Sequence, residues 1–436
     1  MKGVFKTLAV LFIATCVFGN AFAGGKGQSS GSDESKSIVW LSQGPGLTPG
    51  QWEGLTKPIL EQYKRETGVT VRGEFYTFND LFQVIEVKIA SGSRDYDVIS
   101  VDVPMVAAYA TRGYLEPMDR FYTDAEKRQF IPSALAAGSR GGVFYAPPMN
   151  TSSQLLWYNK GLLDQAGVKI RDSSVTNRLT YEEVVDYAKK ALTVLDPNGR
   201  NGIAGLMFQQ VSRTYQMCAV PNSMGEKSIG DDGFMVEGVI NNPGWVKAMT
   251  WYQDLYKNGL ALRGYNADEV SNLFNSGKVL FMIGGTWTPG QISDTSFGYA
   301  PVPAFRGFEG KVGSPTGSWH FGINKASTKK DLAGDFIKWM TLREGNTLWL
   351  KANNDVPSTQ SAISTIQNDP NASPIMKIAA YEAANTAVPR ALTPGYPEYS
   401  TIIDGTLEDI RNGSDVKQAL DNAVRAINSA LAKYKR

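Results

Sequence analysis

The run Asp97-Val98-Ile99-Ser100-Val101 constrains this chain more than any other stretch. It is short, apolar at consecutive positions and rich in β-branched residues, which suits a strand buried on both faces. Helical and strand patterns lead up to it in alternation. Ile38-Val39-Trp40-Leu41 reads as a strand, and Lys57 to Thr67 as a helix with Ile59, Leu60 and Tyr63 on one face and Gly68 as its cap. Val69, Val71, Gly73 and Phe75 alternate with polar residues as a second strand. Leu81 to Ser91 reads as a helix with Leu81, Phe82, Ile85, Val87 and Ile89 in its apolar set. The order β-α-β-α-β predicts an α/β fold built on a parallel sheet covered by helices.

The alternation continues. Val106 to Arg112 is helical and ends at Gly113; Thr180 and Glu183 form a capping box for a helix towards Leu195. Trp245 to Asn258 is a helix stopped by Gly259, Val279–Ile283 and Phe297–Val302 are strands, and Thr328 with Asp331 is the expected cap of Leu332–Leu342. The last helix has the clearest apolar stripe, with Val416, Leu420, Ala423, Val424, Ile427, Ala430 and Leu431 on one face and Asp415 in its first turn.

At 436 residues the chain exceeds one ordinary core, so two domains are expected. Its first 23 residues read as an export signal: Lys2 and Lys6, the apolar run Thr7–Phe18, then Ala21-Phe22-Ala23 as the cleavage site. Ile13-Ala14-Thr15 before Cys16 leaves lipid anchoring through Cys16 as a second reading. Residues 24–37 (GGKGQSSGSDESKS) read as a flexible tether. No other stretch has the length and apolarity of a membrane span. A formal net charge of +2 over 44 basic and 42 acidic residues gives no reason to expect nucleic acid as partner. Cys16 and Cys218 are the only cysteines, so the processed chain would hold no internal disulfide.

The chemistry-bearing motifs point away from catalysis. His320 is the single histidine and no nucleophile elbow, P-loop or HExxH is present. One Cys and one His make no zinc site, and no cofactor motif is found. The loop DPNGRNG at 196–202 has Arg200 where a calcium loop needs an oxygen ligand, so an Asx-rich turn is favoured over calcium. Asp102, at the end of the buried strand, fits two readings: an acceptor for ligand hydroxyls beyond a strand's carboxyl end, or a helix cap before Val106. If Asp102 holds ligand, its removal should affect binding more than stability. Trp40, Trp157, Trp287, Trp319, Tyr396 and Tyr399 gather where loops are expected. Flat rings match the C–H face of a sugar while acids and amides match its hydroxyl edge. Trp157 is assigned to core packing; Trp287, in the turn GGTWTPG, is the favoured stacking residue.

These segments resemble, in order, the family-1 extracellular solute-binding proteins, the group of maltose- and multiple-sugar-binding proteins. The pieces are YKRETGVTV at 63–71, YDVISVDVPMVAAYATRGYLEPMD at 96–119, LLWYNKGLLDQAGV at 155–168, FNSGKVLFMIGGTW at 274–287, GSWHFGINKASTKKDLAGDFIKWMT at 317–341 and the terminal ALDNAVRAINSAL. The resemblance implies a periplasmic-binding-protein type II-like fold, two α/β lobes joined by a hinge around an interlobe cleft. The first lobe is expected at 38–148 plus 298–328 and the second at 149–297 plus 329–436. It also implies capture of a sugar outside the cytoplasm, in the periplasm or beyond, delivery to ABC importer permease subunits, action as a monomer, and no enzymatic role. Asp102 matches the family's sugar-holding acid and Trp287 its stacking tryptophan, with Gln43 at the first strand's loop. Asn150, Thr151 and Ser152 stand at the crossover where many relatives carry an acid, a departure that blurs which sugar is meant. Trp40, Gly317, Trp319, Tyr396 and Tyr399 complete the expected ligand-binding set. A sugar-phosphate or other polyol remains an alternative ligand, with Arg213 and Arg390 as phosphate candidates, and a secreted carbohydrate hydrolase a remoter one.

Overall fold

The computed structural model describes residues 36–43, 49–267, 269–292, 296–317 and 319–435. The expected export signal, Cys16 and the tether up to Ser35 lie outside the described residues. Two four-stranded sheets carry the architecture. In chain order their strands are β1 (Ser37–Gln43), β2 (Thr70–Tyr76), β3 (Val98–Asp102), β4 (Gln154–Tyr158), β5 (Ala204–Phe208), β6 (Val279–Gly285), β7 (Gly298–Pro301) and β8 (Trp319–Ile323). The first sheet runs β8-β3-β1-β2, with β1 parallel to both neighbours and β8 antiparallel to β3. The second runs β5-β6-β4-β7, with β5 parallel to β6 and β4 antiparallel to both β6 and β7.

The run around Ile99 forms β3, all five of its residues buried. Its neighbour β1 is tied to it through Asp97, whose carboxylate accepts from the Val39 amide at 2.9 Å. The helix before β2 spans Pro49–Thr67 and stops at Gly68, which takes the left-handed backbone (φ +74°) that a side chain would disfavour. Past Val84 the next helix widens into a π-turn over Ile85–Ile89, burying those two ends and leaving Val87 66% exposed, outside the apolar set expected for it. Thr180 and Glu183 make the reciprocal capping box, and Asp415 caps the last helix by accepting from the Gln418 amide. Thr328 does not cap its helix: the first residue is Lys330, and Ser327 Oγ accepts from the Lys329 amide instead.

The segment boundaries expected for the two halves need correction at two places. Strand β7, at 298–301, pairs with β4 in the second sheet, so it does not begin the return to the first half. The helices Lys330–Leu342 and Glu344–Asn353 pack in the first sheet's core, not the second's. There Phe336, Trp339, Met340 and Trp349 join Ile38, Trp40, Tyr63, Val98 and Phe321. Rings explain this placement: Tyr63 lies 5.1 Å from both Phe336 and Trp339, and one helix pair covers the ring cluster that β1 and β8 present. The chain therefore passes between the sheets over 103–153, again over 302–318 and a third time after Asn353. Later helices, Tyr396–Arg411 and Val416–Leu431, pack with the second sheet through Ile403, Leu407, Ile410, Leu420 and Ile427.

Candidate functional site

Register brings the first site residues together. Asp102 ends β3 and pairs with Trp319 at the start of β8, while Gln43 ends the parallel neighbour β1. Asp102 and Gln43 are 7% and 8% exposed, so both carry polar groups in a nearly dry setting. Asp102 does not wait there alone. Arg390 grips its carboxylate with both terminal nitrogens, Nη1 at 3.1 Å from Oδ2 and Nη2 on Oδ1. Arg390 follows the short strand Ala387–Val388, which pairs with Ser314–Pro315 on the second crossing, and that pairing fixes its position. Burial pushes the Asp102 carboxyl up and Arg390 opposes the push; burial likewise disfavours the guanidinium, but Asp102 holds Arg390 above its ordinary value. A buried pair of this kind is costly to break from one side, about 3–5 kcal/mol. Removing Asp102 would thus also destabilise the fold, so the expected preference for binding over stability effects does not hold for this residue alone.

From Arg390 the contacts run on to the second sheet. Its guanidinium carbon stands 4.9 Å from the Tyr215 ring centre, and Tyr215 stacks on Trp287 at 5.9 Å and 28°. Trp287 sits in the turn after β6, half-buried, where Gly285 leaves room for it: a Cβ there would fall 2.2 Å from the indole. Tyr215 Oη bonds Ser152 Oγ at 3.2 Å and accepts from Gln154 Nε2 at 3.2 Å. Ser152 Oγ in turn accepts from the Gly317 amide at 2.9 Å. Gly317 must be bare, since a Cβ would lie 2.5 Å from Tyr215 Oη. The result is a continuous line, Asp102, Arg390, Tyr215, Trp287, from the end of β3 to the end of β6.

Beside Trp287 lies a pocket of about 300 Å³ whose polar wall is Gln209, Gln210, Arg213, Ser271, Asn272 and Gln291. Gln209 organises it, donating to Gln291 Oε1 at 2.8 Å and accepting from the Gly285 amide at 3.0 Å. Several buried polar atoms near the line lack a protein partner: Arg390 Nε, Gln154 Oε1, Thr151 Oγ1 and His320 Nδ1. Such atoms are uncommon in a largely satisfied interior.

The other expected residues divide. Asn150 accepts from the Trp319 amide at 2.9 Å and donates to Asp355 at 2.7 Å, so it frames the crossover, and Thr151 bonds Val356 through its backbone. Trp319 is half-buried opposite Asp102. Tyr396 is 7% exposed and feels Arg390 and Asp102, which places it at the site's edge. Two expectations are corrected. Trp40 is fully buried: its ring packs among Phe75, Phe321, Phe336 and Trp349, and its indole N–H donates to Ser100, leaving no face for a ligand. Tyr399 is also fully buried, its hydroxyl spent on the Ser228 carbonyl at 2.6 Å. Trp157 is buried, as assigned. Sequence reading missed Tyr215, Gln154, Gln209 and Gln291, and weighed Arg390 only as a phosphate candidate. Asp196 accepts from the Asn201 and Ile203 amides, an Asx turn, and among the described residues no group of His, Cys, Asp and Glu gathers for a metal.

The ends of strands from both sheets thus meet polar and aromatic side chains in a mixed α/β fold. Residues 59–374 match the bacterial extracellular solute-binding protein family, and the chain belongs to that family. Among curated relatives, a Brucella abortus protein is 26% identical over 272 residues, 59% of this chain and 62% of its own length. The chain thus spans about three fifths of that relative. The sn-glycerol-3-phosphate-binding periplasmic protein of Rhizobium meliloti is 25% identical over 321 residues, 70% of this chain and 73% of the relative. The mannitol-binding protein of Pseudomonas aeruginosa is 25% identical over 279 residues, 60% of each chain. Among solved structures, the GacH receptor of Streptomyces glaucescens, determined unliganded and with acarbose, superposes with a TM-score of 0.73 at 22% identity, covering 91% of this chain and all of that one. The fold is the two-lobed type II architecture of periplasmic binding proteins.

Proposed function

We propose that this protein captures a polyhydroxylated solute, a sugar, oligosaccharide or polyol, between its two sheet-based lobes outside the cytoplasm. It would hand that solute unchanged to the permease of an ABC importer and act as a monomer. The line from Asp102 through Arg390 and Tyr215 to Trp287 carries this reading. It joins the carboxyl end of β3 to the turn after β6 and borders a pocket walled by amides and hydroxyls. Trp287 supplies a ring face, Gln209, Gln210, Asn272 and Gln291 the hydroxyl-reading edge, and Gln43, Asn150, Thr151, Ser152, Gly317, Trp319 and Tyr396 the remaining rim. Relatives that bind mannitol or sn-glycerol 3-phosphate support the solute class. The first lobe would comprise β1 to β3 and the segment up to Met149 with 319–353, the second β4 to β7 with 374–435, and the three crossings, at 150–153, 302–318 and 354–373, the hinge. A lipid on Cys16 or cleavage after Ala23 would set whether it is tethered, which the intact mass of the exported protein decides. Calorimetric titration with uncharged sugars and polyols tests the function: saturable binding with no product formed is expected, and turnover of the ligand would reverse the reading.

A further inference from the structure

The relatives divide between uncharged and phosphorylated solutes, and the charges at this site favour one side. Arg390 is the obvious phosphate anchor by position, yet both its terminal nitrogens are already committed to Asp102 and the pair is 9% exposed on each side. Nε is a further buried donor of the guanidinium, without a protein partner, but any anion it drew in would meet the Asp102 carboxylate held by the same side chain. The adjoining cation, Arg213, has Asp404 as its electrostatic neighbour. His320, the other basic side chain nearby, is buried and held neutral, its pKa lowered to about 4 by burial. Among the described residues, Arg390 is thus paired with a carboxylate and Arg213 lies near one, and the pocket beside Trp287 otherwise offers amides and hydroxyls. A phosphate ester brought to Arg390 would stand beside the Asp102 carboxylate with little water to screen the repulsion.

We propose that the Asp102–Arg390 pair makes this cleft selective for uncharged polyhydroxylated solutes, with Asp102 as the residue that turns phosphate esters away. The inference rests on the binding-protein reading above and adds the charge class of its ligand. Replacing Asp102 by Asn keeps the shape and removes the charge, freeing the guanidinium for an anion. Calorimetry and thermal unfolding of the native chain, D102N and the double variant D102N/R390M are compared with mannitol, maltose, sn-glycerol 3-phosphate and inorganic phosphate as probes. The native protein should show no saturable binding of the phosphate ester. D102N should gain affinity for it by at least about tenfold, and the double variant should lose that gain. Binding of the phosphate ester by the native chain would overturn the proposal with no variant needed. A folded D102N that stays blind to phosphate would overturn it as well. A native chain indifferent to every uncharged probe, but converted by D102N into a phosphate-ester binder, would support the charge filter while counting against the proposed polyol ligand.

Discussion

Tyr215 is the residue on which the site turns, because it touches both sides. Its ring lies between Arg390 and Trp287 and its hydroxyl holds Ser152 and Gln154. Gly317 makes that possible, so Gly317→Ala should force Tyr215 aside. The expected loss is about 1–3 kcal/mol of stability, the usual cost of overfilling a packed site, together with weaker ligand binding. Thermal unfolding and titration of the same sample check this, and retained affinity at reduced stability would make Tyr215 a structural residue only. The sequence marked Trp287 and Asp102 because each sits in a loop or at a strand end with a local signature. It could not mark Tyr215 or Arg390. Each is an isolated residue whose role depends on neighbours more than 60 positions away, and nothing local distinguishes TYQM or VPRAL from ordinary loop. Trp40 and Tyr399 misled for the opposite reason: aromatic rings near strand and helix ends suit a sugar and a core equally well, and only packing decides.

Element by element, signals that act within one turn were readable and signals that act across the chain were not. Thr180 with Glu183 announced a helix start, and both reciprocal bonds form, at 3.1 Å and 2.8 Å. Thr180→Ala should therefore cost about 1 kcal/mol, seen as a small drop in unfolding temperature without change in binding. A loss of ligand affinity would mean that this helix start helps position the site. The continuous run of β3, the Gly68 and Gly113 stops and the Asp415 cap were legible for the same local reason. The placement of β7 and of the helices at 330–353 was not. Their patterns say only that one face is buried: β7 finds its place by pairing with β4, and the helices by the Tyr63, Phe336 and Trp339 rings meeting across hundreds of residues. The turn at Ile85–Ile89 escaped because a π-spacing differs from a helix by one residue per turn.

For the molecule as a whole, one buried histidine ties stability to pH. His320 is fully buried, bonded through Nε2 to the Ala134 carbonyl at 3.2 Å, and burial lowers its pKa from 6.5 to about 4. In the unfolded chain it gains its proton near pH 6.5, in the folded one only near pH 4. Its contribution is therefore whole above pH 6.5 and is lost as pH falls towards 4, by about 3 kcal/mol at most. Unfolding measured across that window should show the loss, and His320→Gln should flatten it; an unchanged slope in the variant would assign the pH dependence to other groups. Binding works in the other direction, since a ligand held by both lobes stabilises only the folded, closed form. A solute at about a hundred times its Kd adds roughly 2.7 kcal/mol, enough for a shift of a few degrees in a chain of this size. The decisive measurement is the ligand-induced thermal shift of the native chain and of Trp287→Ala across one panel of uncharged sugars and polyols. A saturable shift in the native protein that Trp287→Ala loses, with affinity down by about tenfold or more, is the expected result. An equal shift in both proteins would contradict ligand capture between β3 and β6.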